Sequence, residues 1–201
     1  MRDERLPAGQ LSSSARHVRA RGFSRAALTL LLWCGLEALG AGTAAAPAPP
    51  SPKRAAVMDF ELINEMGDYE TDASRASLQQ RLHLIDQALR SEFTARGLYQ
   101  VIDNAGAAEL IAREKALHDL RQCNGCEVDI GRALGADVII LGWVQKVSNL
   151  ILNVNIEVKD VGTQQTLYTK SVDLRSNTDK SWLRGIRYMV DSIEEKGQQL
   201  R

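Results

Sequence analysis

Val138-Ile139-Ile140-Leu141-Gly142-Trp143-Val144 is an unbroken apolar run, and the stretch that follows it is of another kind. Beyond Ser148-Asn149, which reads as a tight turn, Leu152, Val154, Ile156 and Val158 alternate with Asn153, Asn155, Glu157 and Lys159. An unbroken run suits a central strand covered on both faces. Strict alternation gives one dry face and one wet face, as in an antiparallel strand near a sheet edge. Asp160-Val161-Gly162 opens a second turn, and Thr166 to Leu174 reads as one more strand.

Upstream, the period changes. Leu78, Leu82, Ile85, Leu89 and Phe93 recur at helical spacing between Ser77 and Arg96, with Gly97 where a helix ends. Ala55 to Ile63 reads as a strand before that helix, the polar stretch Asn64 to Ala73 as a loop, and Leu98 to Asp103 as a second strand. Residues 105–117 form a helix with the buried edge Ala107, Leu110, Ile111 and Leu117, and Glu127 to Leu134 a short one stopped by Gly135. After the last strand, Thr178 or Asn177 caps a helix whose apolar edge is Trp182, Ile186, Met189 and Ile193. Strands alternate with helices and then meander, which makes an α/β class single domain with a mixed sheet and about four helices.

Lys and Arg together number 25 and Asp and Glu 25, with 44% hydrophobic residues, an ordinary globular composition. Zero net charge argues against nucleic-acid binding, because the phosphate backbone attracts an excess of basic residues. The balance is uneven along the chain. Six arginines face three acids in the first 46 residues, which leaves 19 basic and 22 acidic residues in the rest. The arginines precede an apolar run, and small residues from Ala41 to Ala46 follow, the layout of a secretory signal peptide over 1–45 cleaved after Ala44 or Ala45. Glu37 cuts the apolar run to about 11 residues, against the roughly 20 a span needs, so no stable membrane span remains after cleavage and an uncleaved anchor is the lesser reading. Trp33 before Cys34 is too large for lipoprotein processing, and no adjacent arginine pair marks a twin-arginine signal. Residues 46–54 are a Pro-rich linker, and the folded domain spans 55–201. The expected location is the periplasm.

The segments Ala56-Val57-Met58-Asp59-Phe60, Val101-Ile102-Asp103 and Leu134-Gly135-Ala136-Asp137-Val138-Ile139-Ile140-Leu141-Gly142, in this order of elements, resemble the domain family of the TolB N-terminal domain and the CsgG-like domain of curli secretion. The resemblance spans about residues 55–174. It implies a five-stranded mixed sheet in order 2-1-3-4-5 with strand 4 antiparallel; of this, the alternation argument separately reaches the antiparallel fourth strand. Gln122-Cys123-Asn124-Gly125-Cys126, the stretch from Val144 to Asn153 and Asn177-Thr178-Asp179-Lys180-Ser181-Trp182 resemble a narrower family of small exported proteobacterial proteins of unknown function. These motifs are structural, so they carry fold and no activity.

Cys123 and Cys126 are the two cysteines of the mature chain. In an oxidising compartment a disulfide is the first reading, with Asn124-Gly125 supplying the turn. A redox role is a second, since Cys126 abuts a helix N-terminus that lowers a thiol pKa. Metal binding by His118, Cys123 and Cys126, with Asp119 and Glu127 close by, is a third, although the spacing matches no strong zinc signature. Asp68, Glu70 and Asp72 fail the calcium-loop pattern at Ala73 and Gln79 and read as a solvated loop. No nucleophile elbow or phosphate loop is present; catalytic groups converge in space, so an enzyme stays open, but nothing argues for one and no cofactor is implied.

Contact candidates for a periplasmic protein partner are Arg175, Asn177, Asp179 and Arg184 around the start of the last helix, with Trp182 read as core. Asn64 and Glu65, with Met66 beside them, join the set, because ligands in such a sheet favour the crevice where strand order reverses, here between the first and third strands beside Gly142 to Gln145. The sequence thus reads as a non-enzymatic binding or accessory module in envelope assembly or beside a periplasmic protein. The alternative is a redox or metal-handling protein built on Cys123 and Cys126.

Overall fold

Residues 51–199 are described by the computed structural model, so the signal-peptide segment and the start of the linker lie outside the described residues. Arg54–Val57 (β1) buries Ala55, Ala56 and Val57 completely, then the chain leaves the ladder at Met58-Asp59-Phe60 and resumes as Glu61–Asn64 (β2). Both pieces pair in parallel with Val138–Lys146 (β4), Val57 opposite Ile140 and Glu61 opposite Trp143. Three residues therefore stand against two, Leu141 and Gly142, and the expected single first strand is split by a bulge. Gly142 makes room for it: a Cβ there would lie 2.7 Å from the Phe60 ring. The second expected strand shrinks to Gln100–Val101 (β3), because Asp103 caps a 3-10 turn at Asn104–Ala107.

Leu152–Asp160 (β5) runs antiparallel to β4, and Thr166–Leu174 (β6) antiparallel to β5. The order is β3-β1-β4-β5-β6, with β2 continuing the line of β1 beside β4. This is the expected order 2-1-3-4-5 with its first strand broken. Of the four α-helices, Asp72–Ala95 (α1) begins five residues before Ser77, because Thr71 Oγ1 caps it by accepting the Ser74 N–H at 3.2 Å. Ala108–Leu117 (α2) and Cys126–Ala133 (α3) follow, and Asp179–Gln199 (α4) closes the domain, with Thr178 Oγ1 accepting the Ser181 N–H.

The larger core lies between the sheet and α1 with α4, where Leu78, Leu82, Ile85, Leu89 and Phe93 meet Trp182, Ile186, Met189 and Val190. Trp182 is fully buried, as its place in the apolar series predicts. A smaller cluster on the other face joins Ala56, Met58, Leu120, Val128, Ile130, Ile139 and Leu141. Leu117, expected on the buried edge of α2, is instead 66% exposed: the helix ends there, His118 turns extended, and Leu120 takes the buried place. No helix among the described residues is long and apolar enough to cross a membrane.

Candidate functional site at the carboxyl end of the central strands

Register sets Asn64, Lys146, Leu152 and Leu174 in one row across the sheet. The loops that leave this row, 65–71, 147–151 and 175–178, therefore share one end of the domain. Lys146 is 1% exposed, and its ammonium is paired with Glu70, which also accepts from Ser74 Oγ. Glu70 is thus a buried ion-pair partner, and the reading of a wholly solvated acidic loop is corrected at this residue. The Lys146 ammonium and the Ser74 hydroxyl hold its carboxyl below the usual range against the opposing effect of burial. Removing either partner of such a pair leaves a buried charge without compensation.

That pair fastens the 65–71 loop to the end of β4. The Glu65 N–H donates to the Lys146 carbonyl at 3.0 Å, and Gln145 Nε2 donates to Glu65 Oε1 at 2.9 Å. In the neighbouring loop Ser148 Oγ accepts from the Leu150 and Ile151 N–H groups, and the Ile151 carbonyl accepts from Val147 and Ser148. The two loops so braced expose large apolar side chains: Tyr69 81%, Leu150 80%, Ile151 59% and Met66 36%. Sequence reasoning named Met66 of this group and missed Tyr69, Leu150 and Ile151. Apolar letters in a loop were the available signal, but only the fold brings the two loops together.

The structure sorts the proposed contact residues. Asn64 is half-buried, its Oδ1 accepting the Met66 N–H, and Asn177 is half-buried, its Oδ1 accepting from Trp182 Nε1 and Arg81. Asp179 is exposed and paired with Arg81 at 2.8 Å. Glu65, Arg175 and Arg184 are exposed. The expected crevice between the first and third strands is filled, since β2 pairs directly with residues 143–146 of β4 and Phe60 covers Gly142.

A cleft of about 590 Å³ opens instead between α1 and α2, beyond the ends of β1 and β3. Its polar groups replace the ladder bonds lost at the strand break. Asp86 Oδ1 accepts the Phe60 N–H at 2.7 Å, and Asn104 Nδ2 and Arg90 donate to the Val57 carbonyl, Arg90 also reaching Asp59. Burial, helped by the Asp59 charge, pushes the Asp86 carboxyl up to about 6 against the lowering pull of the Phe60 N–H and Arg90. These groups are engaged in holding the backbone, and no nucleophile is paired with a base there.

Cys123 and Cys126 are placed as a disulfide, their Cα atoms 5.6 Å apart across a turn in which Asn124 and Gly125 both have positive φ. Glu127, 3% exposed, accepts the Gly125 N–H at 3.0 Å and Lys159 Nζ at 2.8 Å. The donor atoms that gather among the described residues are those of Cys123, Cys126 and Glu127, within 4.8 Å of one another. His118 is exposed and outside that group, so the proposed set His118, Cys123 and Cys126 is not assembled. The Glu127 carboxylate is already held by Lys159.

The family described as "Protein of unknown function (DUF2380)" matches residues 53–193. No curated protein matches the sequence. Among solved structures, the LpoB C-terminal domain from Escherichia coli is similar at 13% identity and a TM-score of 0.42, covering 64% of this chain and 87% of that one. The PelC dodecamer from Paraburkholderia phytofirmans is similar at 14% identity and 0.44, covering 73% and 91%. TolB from Acinetobacter baumannii is similar at 12% identity and 0.39, covering 71% of this chain but 29% of that one. At such scores each is a likeness and nothing more.

Proposed function

We propose, from the premise that this chain belongs to that family of proteins of unknown function (DUF2380), that it is an exported, periplasmic, non-enzymatic binding module. It serves as an accessory in envelope assembly or to another periplasmic protein. The observation that carries this reading is the set Met66, Tyr69, Leu150 and Ile151, large apolar side chains exposed on two loops that are hydrogen-bonded and ion-paired in place. Braced apolar groups lose little conformational freedom when a partner covers them, so burial converts into affinity. Export rests on the arginines, apolar run and small residues of 1–45.

A photo-crosslinking residue at position 150, in cells, is expected to trap one protein partner that the same residue at Thr163, in the turn at the opposite end of the sheet, does not trap. Tyr69→Asp with Leu150→Asp should abolish the product while leaving the melting temperature within a few degrees. Equal labelling from both positions, or a wild-type enzymatic turnover lost on changing the α1–α2 cleft, would sink the reading.

The grouping of Cys123, Cys126 and Glu127 favours one alternative, a redox or metal-handling role. Cys123→Ser with Cys126→Ser separates the two: a lower melting temperature alone supports the binding module, and loss of a stoichiometric metal or of thiol-disulfide activity supports the alternative.

A further inference from the structure

Strand β6 ends the sheet among the described residues, and α4 lies along it. The approach is close because position 185 is glycine: a Cβ there would meet Leu174 Cδ2 at 2.5 Å and Val154 Cγ1 at 3.3 Å. Beside this contact runs a groove of about 420 Å³, with Lys170, Val172 and Arg175 on its strand side and Ser181, Arg184 and Tyr188 on its helix side. Lys170 Nζ sits over the Tyr188 ring, 5.2 Å from its centroid.

Many cations elsewhere on the domain are neutralised. Arg81, Arg90, Arg96, Arg121 and Lys159 are each in ion pairs. Among the described residues Lys170, Arg175 and Arg184 are in none. Lys180, Arg184 and Arg187 recur on one row of α4 that continues into Asp191, the partner of Arg96 on α1; of that row, Arg184 lines the groove. The only acid lining the groove is Asp173. In a mature chain with more acids than bases, this is a local concentration of uncompensated positive charge.

We propose that this groove receives an extended acidic segment of a partner polypeptide, added as a further strand on β6. An edge strand offers a row of free N–H and C=O groups as a template, and side chains at every second position of an incoming strand fall on one face. Acidic side chains at those positions would meet Lys170, Arg175 and Arg184, while the backbone continues the sheet. The lining of four consecutive β6 residues, 170–173, favours a strand over a flat anionic surface. Arg175 belongs to the loop end described above, but the groove runs from it along β6 and α4, away from Tyr69 and Leu150, and its test does not need the partner of those loops.

The experiment uses purified chain lacking residues 1–45, as export cleavage would leave it, and a short synthetic peptide of alternating Glu and Val. Binding is expected to weaken as salt rises, and Arg175→Glu with Arg184→Glu to weaken it by roughly tenfold or more. Hydrogen exchange should show every second β6 amide newly protected by the peptide. No peptide binding, binding that leaves the β6 amides unchanged, or equal binding of a version with proline at its centre would each overturn the proposal. So would binding to phosphatidylglycerol vesicles in place of the peptide. Because both arginines are exposed, an unchanged melting temperature distinguishes a lost site from a lost fold.

Discussion

On one face of the sheet, helices of 24 and 21 residues bury a continuous hydrocarbon layer that runs from Leu78 to Ile193. On the other, helices of 10 and 8 residues cover part of the sheet, and the cluster beneath them is smaller. Where those short helices stop, polar contacts continue the cover: Glu127 with Lys159, the Arg121 guanidinium 5.3 Å from the Trp143 ring centroid, and Asn155 bonded to Asn153. The long helices close their face chiefly with apolar burial, their ion pairs lying at its margins, whereas the short ones rely more on directional contacts that must each be satisfied. The thick face is the one that should dominate stability.

The sharpest way to break this comparison is a matched pair of truncations. Leu89→Ala on the thick face should cost about 4 kcal/mol, and Leu120→Ala on the thin one roughly 2 to 3, both read from urea unfolding. An equal or reversed order would mean that the thin face carries as much of the fold. Next comes the point where the thick face ends in charge. Lys146→Met should cost about 3 kcal/mol by stranding Glu70, and adding Glu70→Gln should recover most of it. Because Glu70 is held below its usual range, its contribution is present above its unfolded pKa and is lost as pH falls through the lower folded value.

The remaining effect has the opposite sign. The Asp86 carboxyl sits at about 6 against an ordinary 3.8, so the folded state holds its proton more tightly. This contribution is complete below pH 3.8 and fades as pH rises through about 6, by no more than about 3 kcal/mol. Asp86→Asn keeps an acceptor for the Phe60 N–H, so it should flatten this part of the pH profile and raise stability at pH 8. A variant less stable than wild type at every pH would show that the ionised carboxylate itself is needed at the strand break.

The same contrast explains what could be read from the letters. The spacing of Leu78 to Phe93, the edge from Trp182 to Ile193 and the alternation of β5 are local patterns that repeat, and each became the expected element. The break at Met58 to Phe60 has no local mark. It depends on a glycine in β4 and on side chains of α1, Asp86 being 26 residues from the amide it accepts. Lys146 and Glu70 lie 76 residues apart, and each alone reads as a surface charge. Leu117 obeyed the helical period and still faced solvent, because α2 ended under it. For the candidate site, exposed arginines were legible one by one, but the joining of two loops into one apolar end was not.

The central place of β4 also orders events in time. Before residue 138 is made, β2 has no partner and β1 has only the two-residue β3 beside it. A chain synthesised from its N-terminus therefore carries more than two-thirds of its length without the means to close the sheet. Such delay leaves the N-terminal strands unpaired until the strand that joins them arrives, since parallel pairing across this sheet is non-local.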